Sequence, residues 1–166
     1  MEIVTEIVID RPVAAVWDIV GARFGDAHLW ASSLKSSEGY GPKISGQVCE
    51  SRVCDIQGMG RIREKLLEFE PSSYALTYQV IEGFPFFVRR GVNRWTLSAQ
   101  GNRTRVRSNA EITTKGPIGA LMLPMMKMQM GRLMRKTFDD LKFYVEHGVP
   151  HPRKQGALTP GKLARA

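Results

Sequence analysis

The order and periodicity of its apolar residues predict an α+β protein, an antiparallel sheet with helices on one face. Near the N-terminus an apolar strand pattern runs straight into a helical one, over residues 3–21. A central region to about residue 115 then reads as strand patterns separated by short turn signals. From Gly116 and Pro117 the period changes and stays helical to about His147, where Gly148 and Pro150 stop it.

Ile3, Ile7 and Ile9, with Val4 and Val8 between them, make the first strand. Asp10 and Pro12 supply an N-cap and a helix-compatible first turn. Val13, Val16, Trp17 and Val20 recur at helical spacing until Gly21 ends the pattern. FGDAHLW forms a turn or two around His28 and Trp30 and leads into LKSSEGY. Gly39, Gly41 and Pro42 break the chain, QVCESRVCDI follows, and QGMG breaks it again. RIREKLLEF, SYALTYQVI, FVRRGVNRWTLSA and RTRVRSNAEIT come next, separated by EPSS, EGFPF and QGN, connections short enough for antiparallel neighbours. In the last strand Thr104, Val106, Ser108, Ala110 and Ile112 face one way and Arg105, Arg107, Asn109 and Glu111 the other. The order is strand, helix, short helix, six strands, long helix.

At 166 residues, 43% hydrophobic and 24% charged, the chain fits one globular domain with its own core. MEIVTEIVID has two acids and no basic stretch, so it is not a secretory signal, and no run is long and apolar enough to span a membrane. A cytoplasmic protein is expected. The domain is expected to cover residues 1–147, with 148–166 a flexible basic tail rich in Pro and Gly. That tail holds Arg153, Lys154, Lys162 and Arg165 and no acid, half of the net charge of +8. Cys49 and Cys54, five apart on a strand, point to opposite faces and read as plain thiols. His147 and His151 straddle the terminal breakers, so no metal site is expected, and no motif calls for a cofactor.

Six of the eight methionines fall between Ile118 and Met134. On a helical wheel Leu123, Met126, Met130, Leu133, Met134, Phe138, Leu141 and Val145 share a broad apolar face, opposite Lys136, Asp139, Asp140, Lys142 and Glu146. Leu121, Met122, Met125 and Met128 add apolar surface outside that stripe, and Pro124 marks a kink or the helix's true start. Met fills irregular core gaps, and a wall of it also adapts to ligands of different shape. Met126 and Met130 are therefore expected on the cavity side. Met122, Met125 and Met128 are expected over a mouth, a dimer contact or a membrane-facing edge.

The chain resembles the START-like (SRPBCC, Bet v 1-like) superfamily, in its polyketide cyclase/dehydrase and lipid-transport branch, over roughly residues 2–147. The resemblance rests on IDRPVAAVWDIV, FGDAHLW, GRIREKLLEFEP after a Gly-rich turn, the paired strands WTLSAQGNRTRVRSNAEI, and the long helix reaching LKFYVE. It implies a helix-grip fold: a curved antiparallel sheet of about seven strands wrapped around a long C-terminal helix, with two short helices between the first two strands. A cavity lies between sheet and helix. Many relatives carry an Arg in G-x-V-R opening the third strand, whereas here Gly46, Gln47 and Val48 lead to Cys49, so that anchor does not transfer.

Period 2 puts Ile62, Glu64 and Leu66 on one face of RIREKLLEF, so Glu64 stands among apolar residues. The resemblance to the plant hormone-receptor branch implies that Glu64 and Lys35 face the polar end of the pocket, where each needs a partner to offset desolvation. Tyr78 shares a face with Leu76 and Val80, and Asn93 with Trp95 and Leu97. Candidate ligand-binding residues are Trp30, Lys35, Ile62, Glu64, Tyr78, Val80, Asn93, Trp95, Ser108, Met126 and Met130; catalytic candidates are Glu64, Lys35 and Tyr78. His28 and the loop residues Phe84, Phe86 and Phe87 are expected at the cavity mouth. Exposed aromatics beside Arg89 and Arg90 suit a gate or a peripheral contact with an anionic membrane, and a tip folded on its own sheet is the plain alternative.

The leading functional expectation is binding or transport of a small apolar molecule, such as a lipid, isoprenoid or aromatic polyketide. A cyclase or dehydratase using Glu64, Lys35 or Tyr78 for proton transfer is the alternative. An RNA- or ribosome-binding adaptor acting through the basic tail ranks last, because no base-stacking platform accompanies the charge, so nucleic acid is disfavoured as a partner. Monomer and homodimer are both open.

Overall fold

The computed structural model describes residues 1–44 and 48–158. Seven strands, β1 (Glu2–Ile9), β2 (Leu34–Ile44), β3 (Val48–Ile56), β4 (Gly60–Glu70), β5 (Ala75–Glu82), β6 (Val88–Gln100) and β7 (Arg103–Thr114), form one antiparallel sheet. Its order is β1-β7-β6-β5-β4-β3-β2. The α+β helix-grip expectation holds. The chain crosses from one edge, β1, to the other, β2, through the helix α1 (Val13–Trp17), a π turn (Asp18–Ala22) and a 3-10 turn (Phe24–Leu29). The long helix α2 (Gly116–His147) then packs across the concave side, burying Met134, Phe138 and Leu141 with Ile9, Val16, Leu76, Trp95, Leu97 and Val106.

The alternation read in β7 appears directly: Thr104, Val106, Ser108, Ala110 and Ile112 are all buried. Elsewhere bulges interrupt the period, bending strands and re-aiming side chains. One between Leu66 and Glu68 makes Phe69 the next buried residue of β4 after Leu66. Another lies between Leu34 and Ser36. The turn expected at Gly39, Gly41 and Pro42 does not end β2, which continues through a bulge between Tyr40 and Lys43 to Ile44.

Local capping differs from expectation at α1. Pro12 occupies the N-cap, while the Asp10 amide donates to Glu146 Oε1 at 2.8 Å. Lys142 Nζ donates to Val8 O at 2.7 Å, so the end of β1 is held by the last turns of α2. Burial pushes the Glu146 carboxyl up, but the Asp10 amide and the Lys142 ammonium outweigh it and hold it below the ordinary carboxylate range. Pro124 lies inside α2, whose N-cap is Lys115.

Asp140, placed by the wheel on the polar face, is wholly buried. It accepts from Ser32 N (2.8 Å), Ser32 Oγ (2.6 Å) and Arg153 Nε (2.5 Å). Arg153 belongs to the segment 148–166 expected as a flexible basic tail, of which residues 148–158 are described. After Gly148 closes α2 in the left-handed conformation, the chain forms a helix, α3 (Pro152–Leu158), and Lys154 buries its Nζ against Leu34 O at 2.5 Å. Burial lowers the Lys154 pKa, with Asp140 opposing it in part. Polar partners on the body of the domain offset the entropy of ordering this segment. Residues 159–166 lie outside the described residues, as do Gly46 and Gln47 of the departed G-x-V-R position.

Candidate functional site

A cavity of about 130 Å3 lies between the sheet, the 3-10 turn and α2. Its walls are mostly apolar, with Trp30, Ile62, Leu76, Val80, Trp95 and Met134 among them. Space of this size holds about one aromatic ring, since an engineered apolar cavity of about 150 Å3 binds benzene. Larger ligands require movable walls, and Met130, Met134 and Phe84 supply them.

The polar end is built by strand register. Arg52 and Glu64 are direct cross-strand partners between β3 and β4, and both point inward. Arg52 Nε donates to Glu64 Oε2 at 2.5 Å, and Arg52 Nη1 donates to Phe24 O at 2.8 Å. The guanidinium also lies 3.9 Å from the Phe24 ring centroid and 5.2 Å from that of Tyr78. Burial works against its charge, but Glu64, with smaller help from Cys54 and Tyr78, drives the Arg52 pKa further up. Arg52 stays a cation, and its remaining N–H groups have no protein partner among the described residues.

Beside this pair stands a polar chain across three strands. Ser108 Oγ donates to Asn93 Oδ1 at 2.6 Å, and Asn93 Nδ2 donates to Tyr78 Oη at 3.0 Å. With its oxygen accepting, the Tyr78 hydroxyl keeps its own proton as a donor for the cavity. Burial raises the Tyr78 pKa, and Glu64 adds to the rise; Arg52, Asn93 and Trp95 pull the other way without prevailing. Tyr78 is thus a neutral donor near pH 7. Trp95 Nε1 is buried beside the Tyr78 hydroxyl and adds an N–H to the lining.

The sequence candidates divide. Trp30, Ile62, Glu64, Tyr78, Val80, Asn93, Trp95 and Met130 line the cavity. Lys35 does not: it sits at the bulge after Leu34, unpaired in the ladder, with its side chain exposed. The base beside Glu64 is Arg52 instead. Ser108 lies behind Asn93 rather than on the wall. Met126 is half-buried and lies off the lining, one turn before Met130, the first residue of α2 to reach the cavity. His28 is half-buried next to the lining residue Ala27 and does not itself line.

At the loop after β5, Phe84 lines the cavity and packs on Gly91, where an added Cβ would stand 2.5 Å from its ring. Phe87 is half-buried, and Phe86 is 71% exposed. The tip therefore folds partly onto its own sheet and partly into solvent. Gly83 allows this by adopting φ +95°, where a Cβ would collide with the Arg61 carbonyl.

Arg52, Cys54 and Phe24 are among the lining residues outside the sequence candidates. Period 2 on β3 carries the signal, since Arg52 shares parity with Cys54 and Ile56, both buried. Cys54 Sγ lies 3.4 Å from Ser37 Oγ and 3.7 Å from Glu64 Oε2. Burial pushes its thiol up, Arg52 opposes, and Glu64 adds to the rise. The folded protein therefore holds this proton more tightly than the unfolded chain does. The sign follows: from the ordinary thiol value of 9.0 upward to the folded value, rising pH costs stability. Iodoacetamide at pH 8 is expected to label the half-buried Cys49 and to spare Cys54 until the protein unfolds, as read by peptide mass spectrometry. Equal labelling of both thiols in the folded protein contradicts this environment.

A seven-stranded antiparallel sheet gripping a long C-terminal helix, with an apolar cavity between them, defines a START-like helix-grip architecture. The chain belongs to the polyketide cyclase / dehydrase and lipid transport family, whose pattern matches residues 1–146. Among solved structures it is similar to a START superfamily protein from Mycobacterium smegmatis, at 15% identity and a TM-score of 0.74, covering 89% of this chain and 99% of that one. It is also similar to truncated norcoclaurine synthase from Thalictrum flavum (15% identity, TM-score 0.71, 89% and 94% covered). A third is the Zhui aromatase/cyclase from a Streptomyces (15% identity, TM-score 0.70, 88% and 93% covered). These identities speak for the fold alone. A search of curated proteins finds no match.

Proposed function

We propose that this protein binds, and carries or presents, a small and largely apolar molecule that bears one oxygen function. The observation that supports this reading is the apolar cavity ending in Arg52, Glu64 and the Tyr78 hydroxyl. Arg52 and Glu64 neutralise each other, so the polar end asks for a carbonyl, hydroxyl or phenol rather than demanding an ion. Lipids, isoprenoids and aromatic polyketides with such a group all meet the requirement.

The test is native against denaturing mass spectrometry of the purified chain, followed by extraction of what is released. A reproducible apolar adduct on the wild type, absent from Met130→Lys, is the expected result. No adduct, together with no uptake of an added anilinonaphthalene fluorophore, overturns the reading.

A cyclase or dehydratase is the second reading, favoured by a carboxylate and a neutral hydroxyl donor on one cavity wall. Glu64→Gln abolishes turnover if this reading holds, and changes affinity only moderately if the protein is a carrier. An adaptor for RNA or ribosomes draws less support, because Arg153 and Lys154 of the tail are engaged within the fold.

A further inference from the structure

The cavity accounts for one face of α2; the opposite face has no function in that reading. Ile118, Leu121, Met125 and Met128 follow one another at helical spacing and are 50%, 79%, 40% and 50% exposed. They are a second apolar stripe, about opposite the buried one of Met134, Phe138 and Leu141 on the wheel. The loop carrying Phe86 abuts its start, because the Lys115 amide donates to Phe87 O at 2.8 Å and Val88 pairs with Thr114. The patch therefore runs from Phe86 down the N-terminal half of α2.

Its charge surroundings are one-sided. Segments 83–92 and 112–138 hold seven Lys and Arg and no Asp or Glu. Arg89, Lys115 and Lys127 are exposed around the stripe, and Arg132 and Arg135 continue its face toward the helix C-terminus, both exposed.

We infer that this surface docks on an anionic lipid bilayer, with Phe86, Leu121 and the exposed methionines entering the interface and the arginines and lysines meeting lipid phosphates. An apolar stripe with basic shoulders on a convex helix is the pattern of an interfacial amphipathic helix. A second copy fits poorly, since a twofold contact through this face sets like charges against each other with no acid to answer them. A helical peptide partner needs an apolar groove, and none of Ile118, Leu121, Met125 and Met128 lines the cavity. Docking also sets the Phe84 loop, one wall of the cavity, at the bilayer. The inference goes beyond ligand binding and stands or falls separately from it, because neither Phe86 nor Leu121 lines the cavity.

Co-sedimentation of the full chain with vesicles tests it. Wild type is expected to pellet with phosphatidylcholine–phosphatidylglycerol vesicles and to stay in solution with phosphatidylcholine alone. Leu121→Asp and Phe86→Asp, at exposed positions that leave folding intact by circular dichroism, each lower the partition coefficient about tenfold or more. Arg132→Gln and Arg135→Gln lower it about fivefold each, the equivalent of about 1 kcal/mol per basic residue near an anionic surface. Lys162→Gln with Arg165→Gln serves as the tail control. Three outcomes overturn the proposal: no binding of wild type to anionic vesicles, binding lost in the tail control and unchanged in Leu121→Asp, or a dimer in sedimentation velocity that Leu121→Asp dissolves. Retention of the adduct or fluorophore by Leu121→Asp keeps a failed docking surface distinct from a failed cavity.

Discussion

Glu64→Leu is expected to destabilise the fold by about 3–5 kcal/mol, because it strands the Arg52 guanidinium in a low-dielectric site without its carboxylate. Removing Arg52 alone, as Arg52→Met, has a cost of similar order by leaving Glu64 buried beside Cys54 and Tyr78. The double replacement, Arg52→Met with Glu64→Leu, is expected to recover most of the loss, since the desolvation of both charges disappears with their attraction. Their side chains are only 12% and 7% exposed, so solvent screening does little to soften these effects. Urea denaturation of the four proteins gives the coupling directly. Single losses under about 1 kcal/mol, or a double mutant whose loss equals their sum, sink the account. The cycle also bears on function. A pair that contributes little net stability and is costly to break is easier to explain as a ligand-orienting device than as a structural tie.

Asp140→Ala is expected to cost about 2–3 kcal/mol and to free α3. Asp140 is fully buried and receives donors from Ser32 and Arg153, so its loss leaves the Ser32 amide and hydroxyl without partners. Arg153 is partly exposed and recovers solvent, which limits its share of the penalty. Hydrogen exchange then distinguishes a general from a local effect: amides over residues 152–158 are expected to exchange much faster in Asp140→Ala, while those of β6 and β7 keep their protection. Unchanged exchange over 152–158, with a stability change under about 0.5 kcal/mol, rules out the proposed link between α3 and the domain.

The elements of this protein were legible because their periods are clean. β7 alternates without a break for five inward residues, and the long helix begins and ends on Gly116 and Gly148. The inward parity of Ile62, Glu64 and Leu66 was legible for the same reason, as the register shift between Arg63 and Glu64 puts its extra residue, Ile81, on β5 and leaves the alternation of β4 intact. Lys35 was expected in the pocket from the family resemblance alone, and a bulge at that residue turns its side chain to solvent instead. Arg52 was missed although its parity with Cys54 was available, since nothing local says that it stands opposite Glu64.

Sequence by itself thus determined the layers, the strand count, the apolar face of α2 and the presence of a carboxylate among apolar neighbours. All follow from residue spacing within one segment, which the backbone period converts into a face. Tertiary structure alone decided that Glu64 meets Arg52 and not Lys35, that Asp140 and Lys154 are buried, and that Met130 reaches the cavity while Met126 does not. Those outcomes depend on register and docking between segments far apart in the chain, where a shift of one residue exchanges the inside for the outside.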